Sequence, residues 1–180
     1  MKLTVESIFD SNKKKKQYFN MLNSFRAEYF NEPTIGKYKL KHWDMMQKQG
    51  LIPFSLYENN TAIGMAEISG GSLYGIRMLN VCTLYIDPKY RGKGYATGFY
   101  RWMEQEAEQQ NLGFGIQVEQ SSMIKNKTQF MQMGFNWAGV ITDCPNDMFY
   151  NETTWILFFK PYLKRLMSID NCVRQLEEVA

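Results

Sequence analysis

The spacing of apolar positions changes along the chain, and each change marks an element. Residues 3–9 alternate as a short half-buried strand does. Asp10, Ser11 and Asn12 offer capping oxygens, and Tyr18, Leu22, Phe25 and Tyr29 then recur at four- and three-residue steps, one face of a helix. Pro33 closes that pattern, and a second helix is predicted over 38–49, ended by Gly50. Two strand-like runs, 54–57 and 61–68, flank Asn59-Asn60, a hairpin signal. Gly70-Gly71-Ser72 reads as a loop, and residues 78–86 as the next strand.

A helix is predicted over 94–110, with Phe99, Met103 and Ala107 on one face, ended by Asn111-Leu112-Gly113. Residues 114–118 read as a buried strand, 123–133 as a shorter helix stopped by Gly134, and 135–142 and 153–159 as two last strands around a turn-rich loop at Cys144-Pro145-Asn146-Asp147. The expected fold is α/β (α+β): a mixed sheet with helices on both faces, in one domain over 1–162. Beyond Pro161, Tyr162, Leu166, Ile169, Val173 and Leu176 return every three or four residues. Residues 163–180 therefore read as an amphipathic helix that packs on the domain or forms a contact between two copies.

Between the strand at 78–86 and the helix at 94–110 lies Ile86-Asp87-Pro88-Lys89-Tyr90-Arg91-Gly92-Lys93-Gly94-Tyr95-Ala96. A strand, a glycine-containing basic loop and a helix N-terminus, in that order, can hold a phosphate with main-chain amides, because the first-turn N–H groups have no intrahelical partner. Gly92 and Gly94 let a ligand approach the backbone, and Arg91 and Lys93 add positive charge. The spacing is neither that of a Walker loop nor that of the dinucleotide fingerprint, which needs a further small residue where Thr97 stands.

Arg91-Gly92-Lys93-Gly94-Tyr95-Ala96 resembles the Arg/Gln-x-x-Gly-x-Gly/Ala signature of the GNAT superfamily of acetyl-CoA-dependent N-acetyltransferases, and Phe130-Met131-Gln132-Met133-Gly134-Phe135 resembles a second stretch of that family. The resemblance implies a GNAT-like, mainly antiparallel central sheet over most of the chain and acetyl-CoA as acyl donor. It implies that the main chain of Leu84, Tyr85 and Ile86 meets the pantetheine arm and that the loop from Arg91 through Gly92, Lys93, Gly94, Tyr95, Ala96 and Thr97 meets the pyrophosphate, with Phe130 beside them. The acceptor would be a primary amine of a small molecule or a peptide.

Direct transfer needs a base for the amine proton, since an ammonium has no lone pair. The central strand offers Asn80 where the family often has a carboxylate, so Glu67 and Glu119, near the ends of neighbouring strands, are the candidate bases. Phe130 stands where many members carry a tyrosine that protonates the leaving thiolate, and Ser121, Ser122 and Met123 occupy the region of the family's asparagine. Tyr85 and Tyr95 are the alternative proton donors, although both also fit as core or groove-lining aromatics. These departures support a second reading, a weakly catalytic or non-catalytic acyl-CoA-binding protein with a regulatory role. A longer acyl donor is a third.

Composition narrows the remaining classes. Hydrophobic residues at 44% and aromatics at 15% mark a folded globule, and a net charge of +3 demands neither nucleic acid nor membrane as partner. No apolar run is long enough to span a bilayer, and residues 1–6 lack the apolar stretch of a secretory signal. Cys82, Cys144 and Cys172 are odd in number and far apart, which predicts reduced thiols in a cytoplasm and no zinc site. His42 is the single histidine, so no metal cluster is expected from it, and Lys13 to Lys16 read as a solvated face.

Overall fold

The computed structural model describes residues 3–9, 11–30, 43, 46–48, 50–73, 76–119, 128–141 and 155–160. Strand β1 (Leu3–Ser7) leads into helix α1 (Asn12–Phe30). Strands β2 (Leu51–Glu58), β3 (Thr61–Leu73) and β4 (Ile76–Ile86) follow. A 3-10 turn at Pro88–Tyr90 precedes helix α2 (Tyr95–Gln109). Strands β5 (Gly113–Glu119), β6 (Asn136–Ile141) and β7 (Trp155–Lys160) complete the fold. The order across the sheet is β1-β2-β3-β4-β5-β7-β6. Every neighbouring pair is antiparallel except β4 and β5. The mixed, mainly antiparallel sheet expected from the sequence is therefore present.

Local chemistry accounts for the connections. Asn59 and Asn60 both take positive φ, 47° and 64°, as a tight turn between right-twisted strands requires. Helix α2 buries Tyr95, Phe99, Met103 and Ala107, one residue per turn on a single stripe. That stripe packs on one face of the sheet against Leu56, Ile68, Val81 and Ile116. Helix α1 covers the other face, where Tyr18, Phe19 and Leu22 meet Met65 and Tyr85.

Two sequence expectations need correction. Gly70, Gly71 and Ser72 are not a loop: β3 continues to Leu73, pairing Gly70 with Leu79, Gly71 with Met78 and Ser72 with Arg77. Long-range pairing supplies the backbone partners that local glycine preference does not favour, and tertiary context overrides propensity. Strand β2 likewise begins at Leu51, earlier than the apolar run suggested. Parts of two expected elements, the helix over 38–49 and the helix over 123–133, lie outside the described residues, as does the whole loop at 144–147. All of the terminal helix over 163–180 does so.

An irregularity in β4 sets the orientation of its end. The β3–β4 register runs Ile68 to Val81 but Glu67 to Thr83, so Cys82 is the extra, bulged residue. Leu79 and Val81 belong to the α2-side core before the bulge, and Leu84 and Ile86 belong to it afterwards. One inserted residue has switched the parity, and Tyr85 thereby faces α1.

Candidate active site

The site begins where pairing stops. Strands β4 and β5 are hydrogen-bonded from Met78–Gly113 to Val81–Ile116, and no further pair joins them, although β4 runs on to Ile86 and β5 to Glu119. Beyond Val81 the β5-facing edge of β4 has no strand partner among the described residues, so it can offer main-chain N–H and C=O groups to a ligand.

The backbone turns sharply after that edge. Asp87 N–H donates to the Ile63 carbonyl (2.9 Å) and the Asp87 carboxylate accepts from Lys89 N–H (3.0 Å), which fixes the 3-10 turn. Gly92 and Gly94 both adopt left-handed φ, 74° and 81°, and Gly94 is the N-cap of α2. No heavy atom lies within 4 Å of where a Cβ would stand on either glycine. The first helical bond recorded is Gly98 N–H to the Gly94 carbonyl, which leaves the amides of Tyr95, Ala96 and Thr97 without intrahelical acceptors. Open space over two positive-φ glycines at a helix N-terminus is a cradle for an anion.

A cavity of about 530 Å³ joins the open strand edge to this cradle. Leu84, Tyr85, Ile86, Arg91, Gly92, Gly94, Tyr95, Ala96, Thr97 and Phe130, all singled out from the sequence, line it together. Lys93 does not; its ammonium lies over the Tyr90 ring, 5.2 Å from the centroid.

 Three lining residues carried no motif in the sequence, Tyr29, Tyr100 and Gln129, while Tyr90 belongs to the turn just before the glycine loop. Helical spacing could have found Tyr100, which lies one turn beyond Ala96 on α2.

The aromatic hydroxyls around the cavity differ in their partners. Tyr95 donates to the Glu58 carboxylate, which pushes its pKa up to about 12. Burial first, and the nearby Glu28 carboxylate second, push Tyr85 up to about 12. Burial also raises Tyr100, whose ring packs on Phe130 with centroids 6.0 Å apart and on Phe135 at 6.4 Å. Its hydroxyl makes no hydrogen bond among the described residues. Gln129 Nε2 reaches Thr97 Oγ1 at 3.5 Å, so the helical turn over 128–132 touches the start of α2.

The candidate bases lie elsewhere. Glu67 is buried, 6% exposed, and is not a cavity-lining residue. It accepts from the Tyr18 hydroxyl of α1 and from Thr83 Oγ1 of β4 (2.8 Å). Glu119 ends β5 opposite Trp155, beyond the point where β4 and β5 separate, and its side chain lies outside the described set. Asn80 is buried on the last paired stretch of β4, with Nδ2 3.7 Å from Cys82 Sγ. The Cys82 thiol is pushed up by burial and does not line the cavity.

This arrangement fits a CoA thioester: an unpaired strand edge for the amide-bearing pantetheine arm, and an amide cradle for the diphosphate. Comparison with known proteins agrees. The N-acetyltransferase of Staphylococcus aureus Mu50 superposes with a TM-score of 0.62 at 15% identity, over 90% of this chain and 99% of that one. A spermidine N-acetyltransferase from Vibrio cholerae, solved with CoA and spermine, gives a TM-score of 0.64 at 18% identity, over 91% and 98%. The ribosomal-protein-S18-alanine N-acetyltransferase of Escherichia coli gives 0.61 at 16%, over 89% and 94%. No curated protein matches the sequence. The profile of the Acetyltransferase (GNAT) family matches residues 18–135, more than half of the chain, and the protein belongs to that family of acyltransferases.

Proposed function

We propose that this protein transfers an acetyl group from acetyl-CoA to a primary amine of a small molecule or a peptide, by direct attack. The observation that carries the reading is the separation of β4 from β5 after Val81, opening onto a two-glycine cradle at the start of α2. Partners as different as spermine and an alanine of ribosomal protein S18 are named for proteins of this fold, so the fold leaves the acceptor class open.

The free edge of β4 donates a main-chain N–H to the thioester carbonyl, where negative charge develops as the amine attacks. The carbon–nitrogen bond forms, the carbon–sulfur bond breaks, and the amine proton passes to a carboxylate. Glu67 is the better-supported base of the two candidates, since the hydroxyls of Tyr18 and Thr83 hold its carboxylate in place. The departing thiolate, with a pKa of about 8.5 as for a free thiol, needs little help. Tyr100 is the donor the cavity offers: it is protonated at ordinary pH, shielded, and its O–H has no other partner among the described residues. Cys82, buried and outside the cavity, supports direct transfer over an acyl-cysteine route.

One observation favours a second reading, an acyl-CoA-binding protein with little turnover: Phe130 brings a ring and no hydroxyl to the cavity wall. Calorimetric titration with acetyl-CoA, CoA and ATP, followed by an amine panel scored for thiol release, separates the two. Saturable binding of both CoA species with turnover of an amine is the expected result. Binding without turnover across polyamines and peptide N-termini selects the second reading, and no binding at all overturns both.

A further inference from the structure

The cation that opens the glycine loop already has an anionic partner within the protein. Arg91 Nη1 and Nη2 donate to Glu28 Oε1 and Oε2, each at 2.7 Å, so the guanidinium fork is closed on a carboxylate of α1. Arg91 Nε donates to the Ile86 carbonyl at 2.9 Å, and the guanidinium carbon lies 5.5 Å from the centre of the Tyr85 ring. Three elements are thus tied through Arg91: the last turn of α1, the end of β4 and the start of the loop.

Each contact has a consequence. Two of the five guanidinium N–H bonds point at Glu28 and a third at Ile86, and the charge of Arg91 is matched by that of Glu28. The hydrogen bond from Arg91 holds the Glu28 carboxyl below the usual carboxylate range, so the pair is charged at neutral pH. Leu84, Tyr85 and Ile86 have no strand partner on the β5 side among the described residues, and the Arg91–Ile86 bond is a side-chain tether at that free end.

We propose that Glu28 and Arg91 are a positioning pair for the acyl donor: their contact fixes the free end of β4, where the pantetheine arm lies, and leaves the diphosphate to the loop amides. The inference rests on the acetyl-CoA reading above. It makes α1, a helix that carries none of the family's signature, a part of the donor site.

The test compares two donors, acetyl-CoA and S-acetylpantetheine, which has the arm but no diphosphate. Binding is titrated on the wild type and on Glu28→Gln, Arg91→Lys, the double variant and Gly94→Val, with thermal melts to confirm folding. Glu28→Gln and Arg91→Lys are expected to weaken both donors by the same factor, about tenfold at most for a partly exposed bidentate pair. The double variant should bind no more weakly than either single one, because the pair acts as a unit. Gly94→Val, which crowds the amide cradle, should weaken acetyl-CoA alone. A loss in Arg91→Lys confined to acetyl-CoA would mean that the guanidinium holds the diphosphate and would overturn the proposal. Tighter acetyl-CoA binding in Glu28→Gln, or no change in either variant, would overturn it as well. A wild type that binds neither donor overturns the acetyl-CoA reading and this inference with it, whereas a binding wild type with unaltered variants overturns the pair alone.

Discussion

Gly64 of β3 lies so close to the carbonyl of Tyr85 that a Cβ on Gly64 would stand 2.3 Å from the oxygen. The same Cβ would meet Ile86 Cδ1 at 3.0 Å and Ile86 Cα at 3.3 Å. Gly64 pairs with Ile86, so the absent side chain sits beneath the end of β4, the edge that faces the cavity. A backbone atom cannot swing aside as a side chain can, and the two strands would have to part.

Gly64→Ala is therefore expected to destabilise the fold by about 1–3 kcal/mol through overpacking and to weaken acetyl-CoA binding as the end of β4 shifts. Gly70→Ala and Gly71→Ala, where nothing stands within 4 Å of the new Cβ, are the comparison. Urea denaturation and donor titration measure both effects. Wild-type stability and affinity in Gly64→Ala would refute the role given to this contact.

Gly94→Val tests the cradle. Its positive φ, 81°, disfavours a β-branched residue by about 1–2 kcal/mol, and the added methyls enter space that no protein atom occupies. A folded protein with a modestly lower melting temperature and no saturable acetyl-CoA binding is expected. Normal affinity in the folded variant would remove the loop from the site.

The two candidate bases separate by substitution. Glu67→Gln should lower turnover by about 10²–10⁴-fold, the usual contribution of a positioned base, with donor affinity unchanged because Glu67 is outside the cavity. Tyr18→Phe should reduce turnover less, since Thr83 still holds the carboxylate. If Glu67→Gln is fully active and Glu119→Gln is not, the role passes to the end of β5.

Tyr100→Phe removes only a hydroxyl, and the ring contacts with Phe130 and Phe135 survive. Turnover is expected to fall by about a hundredfold at most, because a thiolate leaves readily without an acid. Donor affinity measured by titration should change little. Unaltered turnover would show that solvent protonates the thiolate.

Alkaline pH should unfold the protein with a traceable slope. Tyr85 and Tyr95 are both raised from 10 to about 12. Between those values the folded chain keeps protons that the unfolded chain has released, so the native state binds more protons and stability falls as pH rises. The contribution is complete below pH 10 and gone above about 12. Urea midpoints from pH 9 to 12 should decline less steeply in Tyr95→Phe, and an identical slope would contradict the assignment.

The stripe Phe99, Met103 and Ala107, the Asn59-Asn60 turn and the Arg91-to-Ala96 loop were all legible because each is a local rule: helix period, turn conformation, glycine at positive φ. The same locality misled at Gly70 and Gly71, where pairing with Leu79 and Met78 outweighs the glycine signal. Tyr29 and Gln129 reach the cavity from elements that only folding brings together.

Sequence by itself determined the order of elements, the family signature and the anion cradle, since these depend on neighbours within a few residues. Tertiary structure alone decided which partners the charged groups take. No spacing rule connects Glu28 to Arg91 or Tyr18 to Glu67, each pair far apart in the chain, and the bulge at Cys82 that turns Tyr85 toward α1 is visible only in the register with β3. Pairing energy and side-chain orientation arise from the packed sheet, so the cradle can be read from the chain and the posture of its cation cannot.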